Sequence, residues 1–289
     1  MDSQHTTNTR KAILITGCSS GIGLASATYL ARRGFTVFAT VRKGKDEQYL
    51  RELSEPNLIP VCPLDLSKPD DIANAIEVVK RGLAIRQIPG LYAVLNNAGG
   101  GGIAPIELMD VDRFRVELET RLVGPIALLQ GLLPLIRQAH GRILWIVTPA
   151  IIPIPYVSSI HICDFAANCI ARTLQIELKP WKIPVVQIRC GGIQTSSVVK
   201  SEQELEAAFE QWPRERFELY ADVLKKEQAG LAKFDQHRTS PDKVAELVYD
   251  ILNVPKPKRR YQVGYLSGLA AGLEYLPQPM VDAIMERRG

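Results

Sequence analysis

Three glycines in the stretch ILITGCSSGIGLAS, namely Gly17, Gly21 and Gly23, are spaced to hold a phosphate. They follow an apolar, β-rich run and open a helical one. Glycine is needed where the backbone turns sharply and where it must approach a phosphate with no Cβ in between. The free amides at the helix start then face the anion, helped by the helix dipole. Glycine turns also occur for packing reasons alone, so the strand–loop–helix setting carries the reading. Other chemistry is thinly provided. The four histidines, His5, His140, His161 and His237, lie far apart, so no metal site is expected. The five cysteines are scattered and form no CxxC. They fit reduced thiols in a cytoplasmic protein better than a disulfide frame.

The elements that must position the glycine loop are legible as alternating β and α patterns. AILIT (12–16), FTVFATV (35–41), NLIPVC (57–62), LYAVLN (91–96), RILWIV (142–147) and VVQIRC (185–190) read as buried strands. Helical periodicity runs over 22–33, 69–83, 110–139 and 157–179. This predicts an α/β fold: a single Rossmann-like, doubly wound parallel sheet with helices on both faces. Residues 196–238 read as one or two amphipathic helices forming a substrate lid. Ser240 then caps a helix with Pro241 in its first turn, and RRYQVG (259–264) gives a last edge strand. The expected organisation is a polar, disordered tail over 1–10, a cofactor-binding and catalytic domain over 11–265, and a helical tail over 266–289. That apolar, Pro-interrupted tail would pack on the body, cover the site or lie on a membrane surface.

The chain has 35 Lys and Arg against 31 Asp and Glu, a net charge of +4, too mild to imply nucleic acid. The one dense basic run, PKPKRR (255–260), reads as a solvated loop. No signal peptide and no transmembrane segment are expected from these patterns.

TGxxxGIG followed by NNAG (96–99) resembles the signature of the short-chain dehydrogenases/reductases, over about residues 11–264. VDRFRVELETRLVGPIALLQGLLPLI is similar to that family's long fourth helix. IRCGGIQT (188–195) resembles its PG-x-x-x-T segment, with Cys190 in place of Pro. The nearest local likeness is to the retinol and 17β-hydroxysteroid dehydrogenase branch. The resemblance implies that Gly17, Ser19, Gly21, Ile22 and Gly23 line the phosphates. Asp65 and Leu66 would hold the adenine, Asn97, Ala98 and Gly99 would border the ribose, and Ile193 and Thr195 would reach the carboxamide. An acidic residue ending the second strand would bind the 2′-OH of NAD, whereas Arg suits a 2′-phosphate. FATVRKGK offers Arg42 and no acid, which predicts NADP(H). The alternative is a solvated basic loop.

The family's chemistry rests on a Tyr, a Lys four residues later that lowers its pKa, a Ser, and an Asn in the fourth helix. A phenol near pKa 10 is a poor base at neutrality without a nearby cation. GRILWIVT places Thr148 at the Ser. Counting back from Glu177 in TLQIEL places Asp164 at the Lys and Ile160 at the Tyr; sliding by one gives Phe165 and His161. Neither register contains YxxxK, and Arg121 stands at the Asn. Arg121 and Asp164 are expected to pair across two helices, either neutralising a vacated pocket or touching ribose and substrate. His161 is a candidate acid by its ordinary pKa, but its helical position favours a helix-surface or subunit-interface histidine.

Hydride transfer needs a cofactor held against a good electrophile. An iminium needs no proton donor; an ordinary ketone does. The expectation is an atypical NADP(H)-dependent reductase of an activated, apolar small molecule. The alternatives are a silent cofactor-binding scaffold and a redox-neutral cyclase or isomerase. The family's usual use of helices 110–139 and 157–179 in dimerisation implies a homodimer or homotetramer.

Overall fold

The computed structural model describes residues 11–195 and 209–287. The expected tail over 1–10 and the first part of the lid, 196–208, lie outside the described residues. Seven strands form one parallel sheet in the order β3-β2-β1-β4-β5-β6-β7. They are β1 (Ala12–Ile15), β2 (Thr36–Thr40), β3 (Leu58–Val61), β4 (Ala93–Asn96), β5 (Arg142–Val147), β6 (Val185–Cys190) and β7 (Arg260–Val263). The strands β1, β2 and β4 are buried at every residue. Helices cover both faces, and such strands read as continuous apolar runs rather than alternating ones.

Alternate residues of these strands feed two cores. Leu14, Phe38, Val94 and Ile143 pack with α3 (Pro69–Ile85) and α5 (Gly124–Gln138). Ile13, Ile15, Val37 and Leu95 pack with α1 (Gly21–Arg32) and α8 (Pro241–Asn253). The chain winds outward from β1 to β3, then crosses back so that β4 pairs with the other side of β1. The crevice at the carboxyl ends of β1 and β4 is the topological switch point, where open α/β sheets bind ligands. α8 starts as expected: Ser240 Oγ accepts from the Asp242 amide at 3.2 Å, with Pro241 in the first turn.

Three features differ from the sequence expectation. Helix α2 (Gly44–Glu52) follows β2 although no apolar periodicity announces it, because Leu50 is the residue it buries. The helix expected over 110–139 is α4 (Val111–Leu118) and α5 joined through a π-helical turn, Glu119–Val123. That turn contains Arg121, and such bulges mark functional sites. The same run, Val111–Gln138, is long and apolar enough by length and composition to cross a membrane, contrary to the expectation of no such segment. In the fold, α5 presses Leu128, Leu129, Leu132 and Ile136 into the core; a helix packed on a sheet needs the same apolarity.

The described part of the lid is one long helix, α7 (Arg214–Asp235). The chain ends in α9 (Ser267–Leu273) and α10 (Gln278–Glu286). Val281 and Met285 of α10 pack on Ala150 and Ile152, in the segment that follows β5.

Candidate active site

The glycine loop is built by sterics and then bolted in place. Gly17 and Gly21 have φ of +73° and +57°, a region that costs an L side chain dearly. A Cβ on Gly23 would sit 2.1 Å from the Gly17 carbonyl oxygen. The cradle therefore accepts nothing larger than glycine. Thr16 Oγ1 accepts from the amides of Asn97 and Ala98 at 2.9 Å each. Asn97 Nδ2 donates to Thr16 O and Gly17 O at 2.9 and 3.2 Å. The side chain of Asn97 thus holds the loop, and its role is positioning. Ser20 is the N-cap residue of α1, and the first amides of a helix are where an anion is held. Ser19 is exposed at the loop tip, while Ile22 packs against the core beneath.

Arg42 is exposed at the end of β2, beside Asp65. Burial pushes the Asp65 carboxyl up. Two hydrogen bonds from Ser67, at 3.0 and 2.7 Å, and the charges of Arg42 and Lys68 more than offset this and hold it below the ordinary range. Leu66 is buried in the core, with its carbonyl oxygen against Gly124. On the far side, Ile193 is buried beside Thr239, and the Thr195 side chain lies over Gly21. The residues thus surround one groove from Arg42 to Thr195. The glycine cradle at the start of α1 is where an anion such as a pyrophosphate would fit.

At its other end the groove meets the residues in place of Ser, Tyr, Lys and Asn. Helix α6 (Ser158–Glu177) brings Asp164 against β5, where Oδ2 accepts from the Thr148 amide at 2.8 Å. Oδ1 takes the Arg121 guanidinium in an ion pair. Arg121 Nη1 also donates to Gly100 O at 3.2 Å. Asp164 is buried and Arg121 largely so, at 5% and 15% side-chain exposure. The expected pair across two helices is present. Phe165 is 41% exposed while Asp164 is buried, so of these two residues it is Asp164 that faces the sheet. Ile160 presses on Gly101, where an added Cβ would lie 2.1 Å from Ile160 Cγ1.

Thr148 donates its hydroxyl to Ala150 O at 3.3 Å. Burial pushes the Cys163 thiol up to about 11, the nearby Arg121 charge opposing. Tyr156, the tyrosine closest in sequence to position 160, lies in the loop before α6, within electrostatic reach of Tyr220 on α7. His161 corrects an expectation: it is 7% exposed, not a helix-surface residue. Three residues before Asp164, it lies about 60° away around the helix, so the same inward face buries both.

Two supporting residues escaped the sequence reading. Glu117 is buried, accepts from the Gly102 amide at 3.0 Å and lies 3.5 Å from Arg113 Nε. It precedes Arg121 by four, the spacing of one helix face, which is the signal that would have found it. Glu274, after α9, accepts from the Ile151 amide at 2.5 Å and pairs with buried Arg189 at 2.6 Å. No local pattern links positions 85 residues apart. The lid reaches the site's rim: Tyr220 donates to Glu107 at 2.9 Å, and Trp212 lines a small cavity with Phe114, Glu117 and Ser159.

A model of the short chain dehydrogenase family matches residues 11–206. The 11-beta-hydroxysteroid dehydrogenase type 2 of Homo sapiens is 33% identical over 280 residues, which are 93% of this chain and 68% of that protein. The 3-amino-tetrahydro-pyrrolizinone reductase of Xenorhabdus hominickii is 30% identical over 261 residues, 89% of this chain and 87% of that one. Among solved structures, a short chain dehydrogenase from Burkholderia cenocepacia J2315 in complex with NADP superposes with TM-score 0.72 at 18% identity. That match covers 96% of this chain and 97% of the other.

Proposed function

The chain belongs to the short chain dehydrogenase family, and on that footing we propose that it is an atypical NADP(H)-dependent reductase of an activated, apolar small molecule. Oxidoreductase chemistry follows from the family; cofactor choice and substrate class are the proposal. When bound, the nicotinamide would supply the hydride. The chain's own residues hold the pyrophosphate on the α1 amides, the 2′-phosphate on Arg42 and the carboxamide side near Ile193 and Thr195.

One observation carries the substrate class. The place that resembles the proton-transfer centre holds the Arg121–Asp164 pair, with Asp164 further bound by the Thr148 amide. Ile160, at the Tyr position, has no proton to give. A carbonyl oxygen developing negative charge there would lack its acid, a loss of about 10²–10⁴ in rate. An iminium carbon carries its charge already and needs no acid; an enone spreads charge onto carbon. The relatives support this reading: several are named for hydroxysteroids, and one for reducing an amino-tetrahydropyrrolizinone. The solved neighbour bound to NADP supports the cofactor.

Titration with NADPH and NADH tests the cofactor. An Arg–phosphate bond worth about 1.5–3 kcal/mol predicts a preference for NADPH of about 10–100-fold, abolished by Arg42→Ala. Equal affinities would remove Arg42 from the site, and no binding of either would favour the scaffold reading. The exposed Val116, Val123, Ile162, Phe165 and Ile176 on α4, the π-turn and α6 favour a homodimer through these helices. Sedimentation at micromolar protein, with Phe165→Glu as the dissociating variant, tests this.

A further inference from the structure

The basic run of 255–260 is not used by the nucleotide groove, yet it does not simply face solvent. Arg259 and Arg260 line a cavity of about 320 Å³ at the edge of the sheet. Its other walls are Ala171, Arg172 and Gln175 of α6, and Val185 and Gln187 of β6. The cofactor would lie at the carboxyl ends of the central strands β1 and β4; this cavity lies between α6, β6 and the start of the edge strand β7.

Charge around the cavity is one-sided. Arg260 Nη1 is 3.8 Å from Glu274 Oε2, but Glu274 is already committed to buried Arg189 at 2.6 Å and to the Ile151 amide. Neither Arg172 nor Arg259 meets a carboxylate among the described residues. Burial, and the positive charges of Arg189 and Arg172, press the Arg260 guanidinium down from its ordinary range, with Glu274 opposing. The field is that of a site short of an anion. At the cavity wall, Gln187 is almost wholly buried, and its amide nitrogen donates to Asn168 Oδ1 at 2.8 Å. Its carbonyl Oε1 has no hydrogen-bond partner. That oxygen is also sealed from solvent, so it belongs to the packing of the wall and leaves the three arginines as the charged groups that face the cavity.

Planar guanidiniums bind phosphate oxygens in bidentate fashion. We propose that this cavity binds a phosphate ester, with the phosphate on Arg172, Arg259 and Arg260. That chemistry belongs equally to a soluble sugar or glycerol phosphate and to a glycerophosphate lipid headgroup. Occupancy would have a route to the active-site rim. Glu274 joins Arg260 to the Ile151 amide, three residues from Thr148, so an anion that takes Arg260 leaves Glu274 to Arg189 and the loop.

The test uses the full chain saturated with NADPH, so that the glycine loop is filled and does not take the probe. Glycerol phosphate, inorganic phosphate and sodium chloride are compared at matched ionic strength by thermal melting. Glycerol phosphate should raise Tm by about 3 °C at ten times its dissociation constant. Inorganic phosphate should give a shift of the same sign through the same arginines, and sodium chloride none. Arg172→Gln/Arg259→Gln spares the Glu274 contacts; it should abolish the shift and leave NADPH affinity unchanged, which also reports that the variant is folded. A parallel arm measures flotation with phosphatidylglycerol and phosphatidylcholine vesicles. Arginine-dependent binding to the first alone, with no response to soluble ester, assigns the site to a lipid headgroup. No response to either source overturns the proposal, and so does a response that the double variant retains.

Discussion

Removing both partners of the Arg121–Asp164 pair should destabilise the protein far less than the sum of removing each partner alone. Asp164 is buried and Arg121 largely so, at 5% and 15% exposure, and breaking a buried pair by deleting one member costs about 3–5 kcal/mol. Two contacts set the expectation near the lower bound. Without Arg121, Asp164 Oδ2 keeps the Thr148 amide, a bond to a charged group worth about 1.5–3 kcal/mol. Without Asp164, Arg121 keeps Gly100 O, although its buried Nε has no partner to fall back on. Each single alanine variant should therefore lose about 3 kcal/mol. The double variant leaves no stranded charge and should lose about 3–4 rather than 6, a coupling of about 2–3 kcal/mol. Urea unfolding of wild type, both singles and the double, followed by circular dichroism without nucleotide, closes the cycle. A coupling within about 0.5 kcal/mol of zero would refute the buried pair and the explanation built on it for the missing acid.

Other perturbations read other parts of the site. Gly23→Ala drives a Cβ to within 2.1 Å of the Gly17 carbonyl oxygen; calorimetry should show a loss of about 1–3 kcal/mol, and nucleotide binding should fall with it. Because Asp65 has a lowered pKa in the folded chain, its contribution is full above the unfolded value of about 3.9 and fades as pH falls through the folded one. The stability gap between wild type and Asp65→Asn, followed by acid titration, should therefore close on the acid side and not at neutral pH. Burial raises Cys163 to about 11 and Cys18 to about 12. Native alkylation near pH 8, mapped by mass spectrometry, should modify the exposed Cys169 first and leave these two until the chain is unfolded.

The parts of the fold that could be read in advance are those where one local rule decides. Continuous apolar runs such as Ala12–Ile15 announce strands because both faces of the sheet are covered. The Arg121–Asp164 pair could be read because opposite charges stand on two segments expected to face each other. Helix α2 could not, because GKDEQYLRE buries Leu50 and little else, and its N-cap, Lys43, makes no side-chain capping bond. The π-turn at Arg121 is a matter of backbone bonding with no composition of its own. The burial of His161 depends on how far the sheet wraps around α6, and the Glu274 contacts depend on where the C-terminal helices come to rest.

The most direct test of the central claim compares two substrates of one carbon skeleton, a cyclic iminium and the corresponding ketone, under saturating NADPH at neutral pH. Nucleotide oxidation is followed for wild type and for Asp164→Asn, which keeps the shape of the pocket. Turnover of the iminium should exceed that of the ketone in kcat/KM by at least about 10². Comparable turnover of the ketone would mean that a proton donor is at work which the Arg121–Asp164–Thr148 cluster does not contain, and would contradict the proposed function.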